Sequence, residues 1–362
     1  MMKQRFFSSC LILLIVFAFL PFIQGGCGGG GGGGGSSGTT FTENTSPQAN
    51  ATLTQNNSAE PAEVLSALPL IGEVVNAGDS TSSSTAGSLS TDRRQDLLGN
   101  LQTLIHRVAN KMEQGSVSAL SSYSEENSPC ASGGKESISM QWIGPPMGSV
   151  TECSQMSDVT MEITSNNCTE MGVTIDGTMS VSFPGRSCDL LAGTPSSMSI
   201  TMNGTIDDPA ETLTAEFDHF TIDISNLVVN AGSSEVDIPQ MDALLNGSIS
   251  GTIDGENASI AFNNFSLHID KKYDAHYGYY CSTTLDGLVR TTCMDGWVKI
   301  TTIKPIAMPE TFSTCPFGGE FSVQGSNTTV TITALNPGVN ITFKDETKHY
   351  ATCDDVPDTC LQ

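Results

Sequence analysis

Apolar and polar residues alternate over long stretches of the chain from about residue 137 onward, and this period of two predicts β-strands. The alternation continues through Asp176-Gly177 and Asn246-Gly247, two dipeptides that are typical of hairpin turns. A turn at either place would set apolar residues opposite polar ones, because residues of one parity share one face of a strand. We therefore predict that both dipeptides lie inside unbroken strands, and the stretch around Gly204 follows the same rule.

Three predicted strands change the parity of their apolar residues at one internal dipeptide, which is Asn166-Asn167, Asp218-His219 or Asn263-Asn264. One extra residue in a strand, a β-bulge, restores the register after such a break. Treating the Asn-Asn dipeptides as turns instead leaves the first of them without a suitable partner strand. We therefore predict a bulge in all three strands.

The pairing of these strands follows from the predicted bulges and loops. A four-residue loop at 254–257 sets Phe265 opposite Gly247. Pairing of the predicted strand at 213–224 with the one at 197–206 sets Phe217 opposite Met202. A large aromatic side chain over a cross-strand glycine fills the gap that the glycine leaves. We expect this arrangement to recur along the sheet.

Shorter signals predict the turns nearer the C-terminus. Asp295-Gly296 fits a two-residue hairpin, and further turns are expected at 325–328 and 335–338. Successive hairpins with one apolar and one polar face predict an antiparallel up-and-down meander. We expect a mainly β fold in which this meander forms a curved sheet or open barrel.

A helical segment is expected before the strands. Apolar residues recur at helical spacing from Leu97 to Met112, after a capping Asp92. The segment at 59–125 is therefore predicted to be a small N-terminal helical unit. We expect it to pack against the apolar face of a β domain with internal repeats at 126–362.

The N-terminus has the layout of a secretory signal peptide. Lys3 and Arg5 precede an uncharged apolar run at 6–23, and small residues then lead to Cys27. The apolar run is just long enough to cross a bilayer, so a signal-anchor helix is the alternative. We predict a signal peptide at 1–26.

The residues that end at Cys27 resemble the lipobox of bacterial lipoproteins, in which a Cys after small residues is acylated and becomes the new N-terminus. Gln24 stands where that motif usually has Leu. An unbroken glycine run at 28–35 follows, and we expect 27–58 to be a lipidated Cys with a flexible Gly/Ser/Thr linker. The resemblance implies stable anchoring by two or three acyl chains. Because Gly28 replaces the Asp of inner-membrane retention, it also implies the outer membrane.

Composition indicates an exported protein that does not bind nucleic acid. The formal net charge is -24, and this charge repels phosphate backbones. The cysteines beyond Cys10 and Cys27 are expected to form disulfides in an oxidising compartment, with their pairing left open. The nine candidates are Cys130, Cys153, Cys168, Cys188, Cys281, Cys293, Cys315, Cys353 and Cys360.

No pattern of catalytic or metal-binding residues stands out. The five histidines belong to no His-Glu-x-x-His motif, and no Cys-x-x-Cys pair occurs. The stretch 247–251 superficially resembles a nucleophile elbow, but its central residue is Ile249. The acidic loop at 254–257 lacks the spacing of a calcium-binding loop. We expect no enzymatic activity, no cofactor and no metal site; calcium at the acidic loops is the alternative left open.

The signal peptide, Cys27 with its glycine run, the strands with Asn-Asn and the closing stretch at 315–343 together resemble uncharacterised exported lipoproteins of Gram-negative bacteria, especially deltaproteobacterial types. The resemblance spans most of the chain and implies no activity. We predict a lipid-anchored lipoprotein of the outer membrane or cell surface. Its expected role is structural, adhesive or protein-binding, with a protein or matrix partner on the polar face of the sheet.

A module that binds a hydrophobic ligand is the alternative function. If the sheet curls, its apolar interior could hold a lipid, because methionine-rich linings adapt to varied ligands. The residues expected to line it are Met161, Met179, Met198, Met202, Phe217 and Phe265.

Overall fold

The structure is a computed structural model, and it describes the β region and one short segment before it. The predicted signal peptide, Cys27 and the predicted helix at 97–112 lie outside the described residues. The described ranges are 47–54, 122–144, 157–170, 173–186, 196–209, 213–231, 236–253, 256–276, 278–291, 294–309, 316–336, 338–352 and residue 355.

Fourteen strands form one antiparallel sheet in which each strand pairs with the next one along the chain. The sheet is open, because β1 and β14 stand at its two ends, and this confirms the predicted up-and-down meander. The strands are β1 (Ser122–Pro129), β2 (Lys135–Ile143), β3 (Ser157–Glu170), β4 (Val173–Arg186), β5 (Ser196–Asp208), β6 (Leu213–Ala231), β7 (Val236–Ile253), β8 (Glu256–Asp274), β9 (Gly278–Thr291), β10 (Val298–Pro309), β11 (Gly318–Gln324), β12 (Thr329–Ala334), β13 (Val339–Phe343) and β14 (Glu346–Tyr350).

Alternate residues of the strands are buried, as the period of two predicts. In β2, Ile138, Met140 and Trp142 are buried, whereas Ser139 and Gln141 between them are not. We call the buried side of the sheet the inner face and the other side the outer face. The inner face carries one hydrophobic core, to which every strand from β2 to β14 contributes a side chain.

The sheet begins earlier than predicted. β1 precedes residue 137 and includes 122–125, the last four residues of the segment predicted to be helical. The alternation is interrupted in β1, because the register shifts between Glu125 and Ser128. An edge strand with a bulge and few apolar residues gives no clear signal of period two.

The two dipeptides that are typical of turns lie inside strands, as predicted. Asp176-Gly177 lies in β4 and Asn246-Gly247 lies in β7. Gly204 likewise lies in β5. The parity of the flanking apolar residues therefore outweighs the local preference of these dipeptides for a turn.

The predicted register between β7 and β8 is wrong by two residues. Ile253 pairs with Glu256, whereas the predicted four-residue loop would pair Ile253 with Ala258. Gly247 therefore faces Phe262, and Phe265 faces Leu245. A shift of two residues keeps every side chain on its face, so the apolar pattern cannot distinguish the two registers. The shorter loop extends the ladder of backbone hydrogen bonds, which favours the observed register.

The predicted register between β5 and β6 is wrong for the same reason. Met202 faces Phe220 instead of Phe217, and Phe217 faces Gly204. An aromatic ring therefore lies opposite a cross-strand glycine in this pair of strands, where the sequence predicted a methionine.

Asp295-Gly296 does not form the predicted two-residue hairpin. Val298 pairs with Val289, so the connection between β9 and β10 is longer than two residues. The Asp295 carboxylate instead accepts a hydrogen bond from the backbone N–H of Thr52 at 2.8 Å. The dipeptide thus contacts a residue that is distant in sequence.

The two turns predicted near the C-terminus are confirmed. The Gly325 N–H donates to the Thr328 carbonyl at 2.9 Å, and the Leu335 N–H donates to the Gly338 carbonyl at 2.8 Å. These turns join β11 to β12 and β12 to β13 in the predicted register.

Candidate functional site

One row of polar side chains crosses the outer face of the whole sheet. Each member pairs with the next across neighbouring strands, so consecutive members are about 4.8 Å apart. All members of the row are polar except Leu244. In order from β1 to β14 the row is Ser122, Gln141, Thr160, Ser182, Ser199, Asp223, Leu244, Ser266, Asp286, Thr301, Ser322, Thr331, Thr342 and Thr347.

Hydrogen bonds within this row connect neighbouring strands. The Ser199 hydroxyl donates to Asp223 Oδ1 at 2.6 Å. The Thr301 hydroxyl donates to Asp286 Oδ2 at 3.0 Å. These cross-strand bonds stabilise the sheet. The polar face that the sequence predicts as a partner surface is therefore also a structural ladder.

The three predicted bulges are confirmed, and they share one geometry. Asn167, His219 and Asn264 each have a φ of 47°, in the left-handed region. A bulge leaves a backbone N–H without its ladder partner. In each case that N–H donates to the side-chain oxygen of an Asp or Asn on a neighbouring strand. The pairs, donor first, are Asn167 with Asp176 at 3.1 Å, His219 with Asn203 at 3.5 Å and Asn264 with Asn246 at 2.7 Å.

A glycine follows each acceptor because the backbone of a neighbouring strand approaches closely there. A Cβ on Gly247 would lie 2.3 Å from the carbonyl oxygen of His219. A Cβ on Gly177 would lie 2.5 Å from the Cα of Gly204, which faces it on β5. The Asx-Gly dipeptide in mid-strand thus has a physical purpose: Asp or Asn accepts the bond from the bulge, and Gly makes room for the backbone.

A charged cluster lies farther along the outer face on β6, β7 and β8. Asp242 Oδ1 is hydrogen-bonded to His268 Nδ1, and the Asn226 amide donates to Asp242 Oδ2. Burial of Asp242 opposes its ionisation, but the hydrogen bonds from Asn226 and His268 and the attraction to the His268 ring outweigh burial. They hold the pKa of Asp242 below its ordinary value. Thr284 faces His268 from β9.

Asp242→Asn should weaken the acid dependence of stability. The pKa of Asp242 is lower in the folded chain than in the unfolded chain. This carboxylate therefore stabilises the fold above its ordinary pKa of about 3.9, and the stabilisation is lost as pH falls through the lower folded-state pKa. Urea unfolding at about pH 7 and about pH 3 should show a smaller loss of stability in the variant than in the wild type. An equal loss in both proteins would contradict the role of this cluster.

The six residues predicted to line a ligand cavity come together on the inner face. Phe217 and Phe265 are buried in the core, and each has an aromatic neighbour with a ring centroid 6.2 Å or 5.4 Å away. Met179 is half-buried and packs against the same core. In this arrangement the six side chains pack with other apolar side chains, and binding of a hydrophobic ligand stays a prediction. The other buried members are Met161, Met198 and Met202.

One disulfide joins two of the candidate cysteines among the described residues. Cys130 is bonded to Cys168, with their Cα atoms 5.5 Å apart. The bond joins the β1–β2 turn to β3 directly after the first bulge, where the Thr169 N–H also donates to the Gly133 carbonyl at 2.9 Å. Cys281 lies in β9 opposite Met308. The remaining candidates, Cys153, Cys188, Cys293, Cys315, Cys353 and Cys360, lie outside the described residues, as does Cys27.

Residues 47–54 are bound to the end of the sheet, and we call them the docked segment. The sequence predicts a linker over the whole of 27–58, but Ala51 and Leu53 in the docked segment are each only 1% exposed. Both side chains belong to the hydrophobic core. The linker prediction is therefore wrong for this part of the chain.

Two loops hold the docked segment through hydrogen bonds to its backbone. The Ala51 N–H donates to the Trp297 carbonyl at 2.9 Å, and the Ala51 carbonyl accepts from the Ser326 N–H at 2.8 Å. The Asn327 side-chain amide bonds both the N–H and the carbonyl of Leu53, each at 3.0 Å. These loops, between β9 and β10 and between β11 and β12, lie at the same end of the sheet.

Leu53→Ala should loosen the docked segment. A buried leucine that becomes alanine loses about 2 kcal/mol or more of packing free energy, and Leu53 is one of only two buried side chains in the docked segment. A non-specific protease should then cut within 47–54 faster than in the wild type, as measured by mass spectrometry of the fragments. Gln48→Ala, at an exposed position of the same segment, is the matched control and should leave the rate unchanged. Equal cutting of Leu53→Ala and wild type would contradict the docking.

The comparisons with known proteins assign no relative: no family profile, no curated protein and no solved structure matches the chain. Within the described residues, no helix has the length and apolar character needed to cross a membrane. The same residues contain no group of three or more side chains that could hold a metal ion.

Proposed function

We propose that this protein is a lipid-anchored lipoprotein of the outer membrane or cell surface, with a non-catalytic role in adhesion or protein contact. The observation that best supports the proposal is the docked segment. It fastens the chain that leads from Cys27 to one end of the sheet, through buried side chains and backbone hydrogen bonds. A membrane anchor at Cys27 would therefore be joined through the linker to a fixed position at one end of the sheet.

The linker between the anchor and this point sets the distance of the body from the membrane. About 20 residues separate Cys27 from Pro47. Such a chain spans at most about 70 Å when fully extended, and about 25 Å as a flexible coil. The body would stand clear of the lipid headgroups and could meet partners beyond them.

The charge and the sheet suit a protein that is displayed in solution. A net charge of -24 keeps copies of the chain apart and keeps the body away from anionic surfaces. The outer face presents polar side chains from one edge of the sheet to the other. Contact with a protein or matrix partner is the role that we propose for this exposed body.

Cys27→Ser should release the protein from membranes, because the acyl chains would have no sulfur to join. We expect the wild type to take up labelled palmitate and to sediment with membranes. The variant should take up no label and appear in the soluble fraction. Cys10→Ser, in the signal sequence, is the matched control and should behave as the wild type. Retention of unlabelled Cys27→Ser in the membrane would contradict the proposal and favour a signal anchor.

A further inference from the structure

The β9–β10 and β11–β12 loops contact the docked segment along four consecutive residues, 50–53. Each of these residues donates its backbone N–H to one of the two loops, at distances of 2.8–3.0 Å. When a protein binds an extended peptide, such main-chain bonds give the affinity, and pockets for alternate side chains give the specificity. We call the loop residues around the segment the receiving site, and they are Asp295, Gly296, Trp297, Gly325, Ser326 and Asn327.

Two glycines of the receiving site leave room for side chains of the docked segment. Asn50 Oδ1 accepts a hydrogen bond from the Trp297 N–H at 2.7 Å, and a Cβ on Gly296 would lie 2.3 Å from that oxygen. A Cβ on Gly325 would lie 2.8 Å from Leu53 Cγ, and Leu53 is buried in the core. The receiving site therefore has a fitted position for an Asn and another for a Leu three residues later.

The Asn327 side chain binds the peptide backbone at Leu53 from both sides. Its Oδ1 accepts from the Leu53 N–H, and its amide donates to the Leu53 carbonyl, each at 3.0 Å. The Ser326 N–H donates to the Ala51 carbonyl at 2.8 Å. A receiving site without the docked segment would lose these bonds and expose apolar surface to water. Such a site retains affinity for any peptide that restores the same contacts.

The docked segment is attached locally, so it can leave the receiving site while the sheet stays folded. Ala51 and Leu53 are its only buried side chains, whereas Gln48, Thr52 and Thr54 are exposed. Parts of a protein with few buried side chains open with a free energy far below that of global unfolding. No described strand is continuous with the segment, since residues 55–121 separate it from β1.

The two ends of this connection lie at opposite ends of the sheet. The loops that hold the segment stand at the same end as the β1–β2 turn, because each strand is antiparallel to the next, so β1 begins at the other end. Residues 55–121 must join these two places when the chain binds its own segment. The effective concentration of a tethered ligand falls as its tether lengthens. The chain's own segment therefore has a limited advantage over an identical segment from elsewhere.

We infer that the receiving site is a peptide-binding site that takes the docked segment of a second copy of the chain as well as its own. A second copy presents the same residues 50–53, so the exchange needs no new contact. The concentration of copies sets the share of sites that are filled from a neighbour. Anchoring in one membrane would raise that concentration, but the inference itself does not rest on the anchor.

Binding of a synthetic peptide tests the receiving site. The probe is a fluorescent peptide of residues 47–54, and its acceptor is the full chain with Cys27→Ser and Leu53→Ala, whose own segment is loosened. Fluorescence anisotropy should show saturable binding, at least tenfold tighter than to the chain that keeps Leu53. A probe with Leu53→Ala should bind at least tenfold more weakly, whereas a probe with Gln48→Ala should bind within twofold of the original.

Asn327→Asp in the acceptor tests the amide contact. The substitution keeps the size of the side chain and one acceptor oxygen, but it places a second oxygen where the amide donates to the Leu53 carbonyl. We expect at least tenfold weaker binding of the probe, with an unchanged far-UV circular dichroism spectrum. Absence of saturable binding to the Leu53→Ala acceptor would overturn the inference, as would equal binding with and without Asn327→Asp.

A mixture of two variants tests the second copy. Leu53→Ala leaves the receiving site intact, and Asn327→Asp leaves the docked segment intact. Sedimentation equilibrium should show a one-to-one complex in the mixture and monomers for each variant alone. A mixture that sediments as two unconnected monomers would overturn the exchange. Because every chain carries Cys27→Ser, no result bears on membrane anchoring, which the fractionation experiment tests separately.

Discussion

Gly247→Ala should lower the free energy of unfolding by about 3 kcal/mol. The added Cβ would lie 2.3 Å from the His219 carbonyl oxygen and 2.6 Å from the Phe220 Cα, and both of these atoms belong to the backbone of β6. The φ of Gly247 is +92°, which residues with a side chain rarely adopt. The strand must therefore move away from the bulge or lose its register. The change in the urea midpoint measures the effect.

Ser248→Ala is the matched control for this glycine. Ser248 is the next residue of β7 and already has a Cβ, so the substitution should change stability by less than about 0.5 kcal/mol. If Gly247→Ala were as stable as Ser248→Ala, the close approach of β6 to β7 at this bulge would be wrong. We expect Gly247→Val to be less stable than Gly247→Ala, because the valine side chain is larger than that of alanine.

Phe220→Ala should lower the free energy of unfolding by about 3–5 kcal/mol, as is usual for a large aromatic residue in a core. Phe220 is 2% exposed. Its ring centroid lies 6.2 Å from that of Phe217 and 6.3 Å from that of Phe262. The substitution therefore leaves a cavity between two bulged strands and removes two aromatic contacts. Urea unfolding with a fixed slope measures the loss.

Phe220→Leu gives the control at the same position. Leucine fills most of the space but cannot make the aromatic contacts, so we expect a loss of roughly 1–2 kcal/mol. Equal losses for alanine and leucine would contradict the close packing of this ring. We expect the slope of unfolding to be the same in both variants as in the wild type.

The strands and bulges could be predicted from the sequence because both depend on local parity. The apolar residues around Gly177 keep one parity, and this excluded a turn there. The break at Asn263-Asn264 required one extra residue, and the structure has it. The Asx-Gly dipeptides carried a further signal, since the Asp or Asn of each accepts the hydrogen bond from a bulge and the Gly allows close approach of a neighbouring strand.

The registers could not be predicted to the residue because parity is unchanged by a shift of two. Phe265 lies on the inner face in either register, yet its partner is Leu245 and not Gly247. Loop length decides between the registers, and loop length depends on contacts distant in sequence. Asp295 makes such a contact, since its carboxylate accepts a hydrogen bond from the docked segment.

The docked segment was missed because Leu53 is its only large apolar residue. Its signal is short: Ala51 and Leu53 alternate with Thr52 and Thr54. Two apolar residues do not distinguish a buried strand-like segment from a linker.

The bulges also restrict which strands can pair during folding. A sheet of many similar Ser- and Thr-rich strands risks mispairing, and a strand that slips by two residues would still bury its apolar side chains. In a slipped pairing, however, the N–H of Asn264 would lose the Asn246 oxygen, and a Cβ would collide with the bulge where Gly247 or Gly287 now gives room. Each bulge thus destabilises incorrect strand pairings and shifted registers in which the apolar side chains would still be buried.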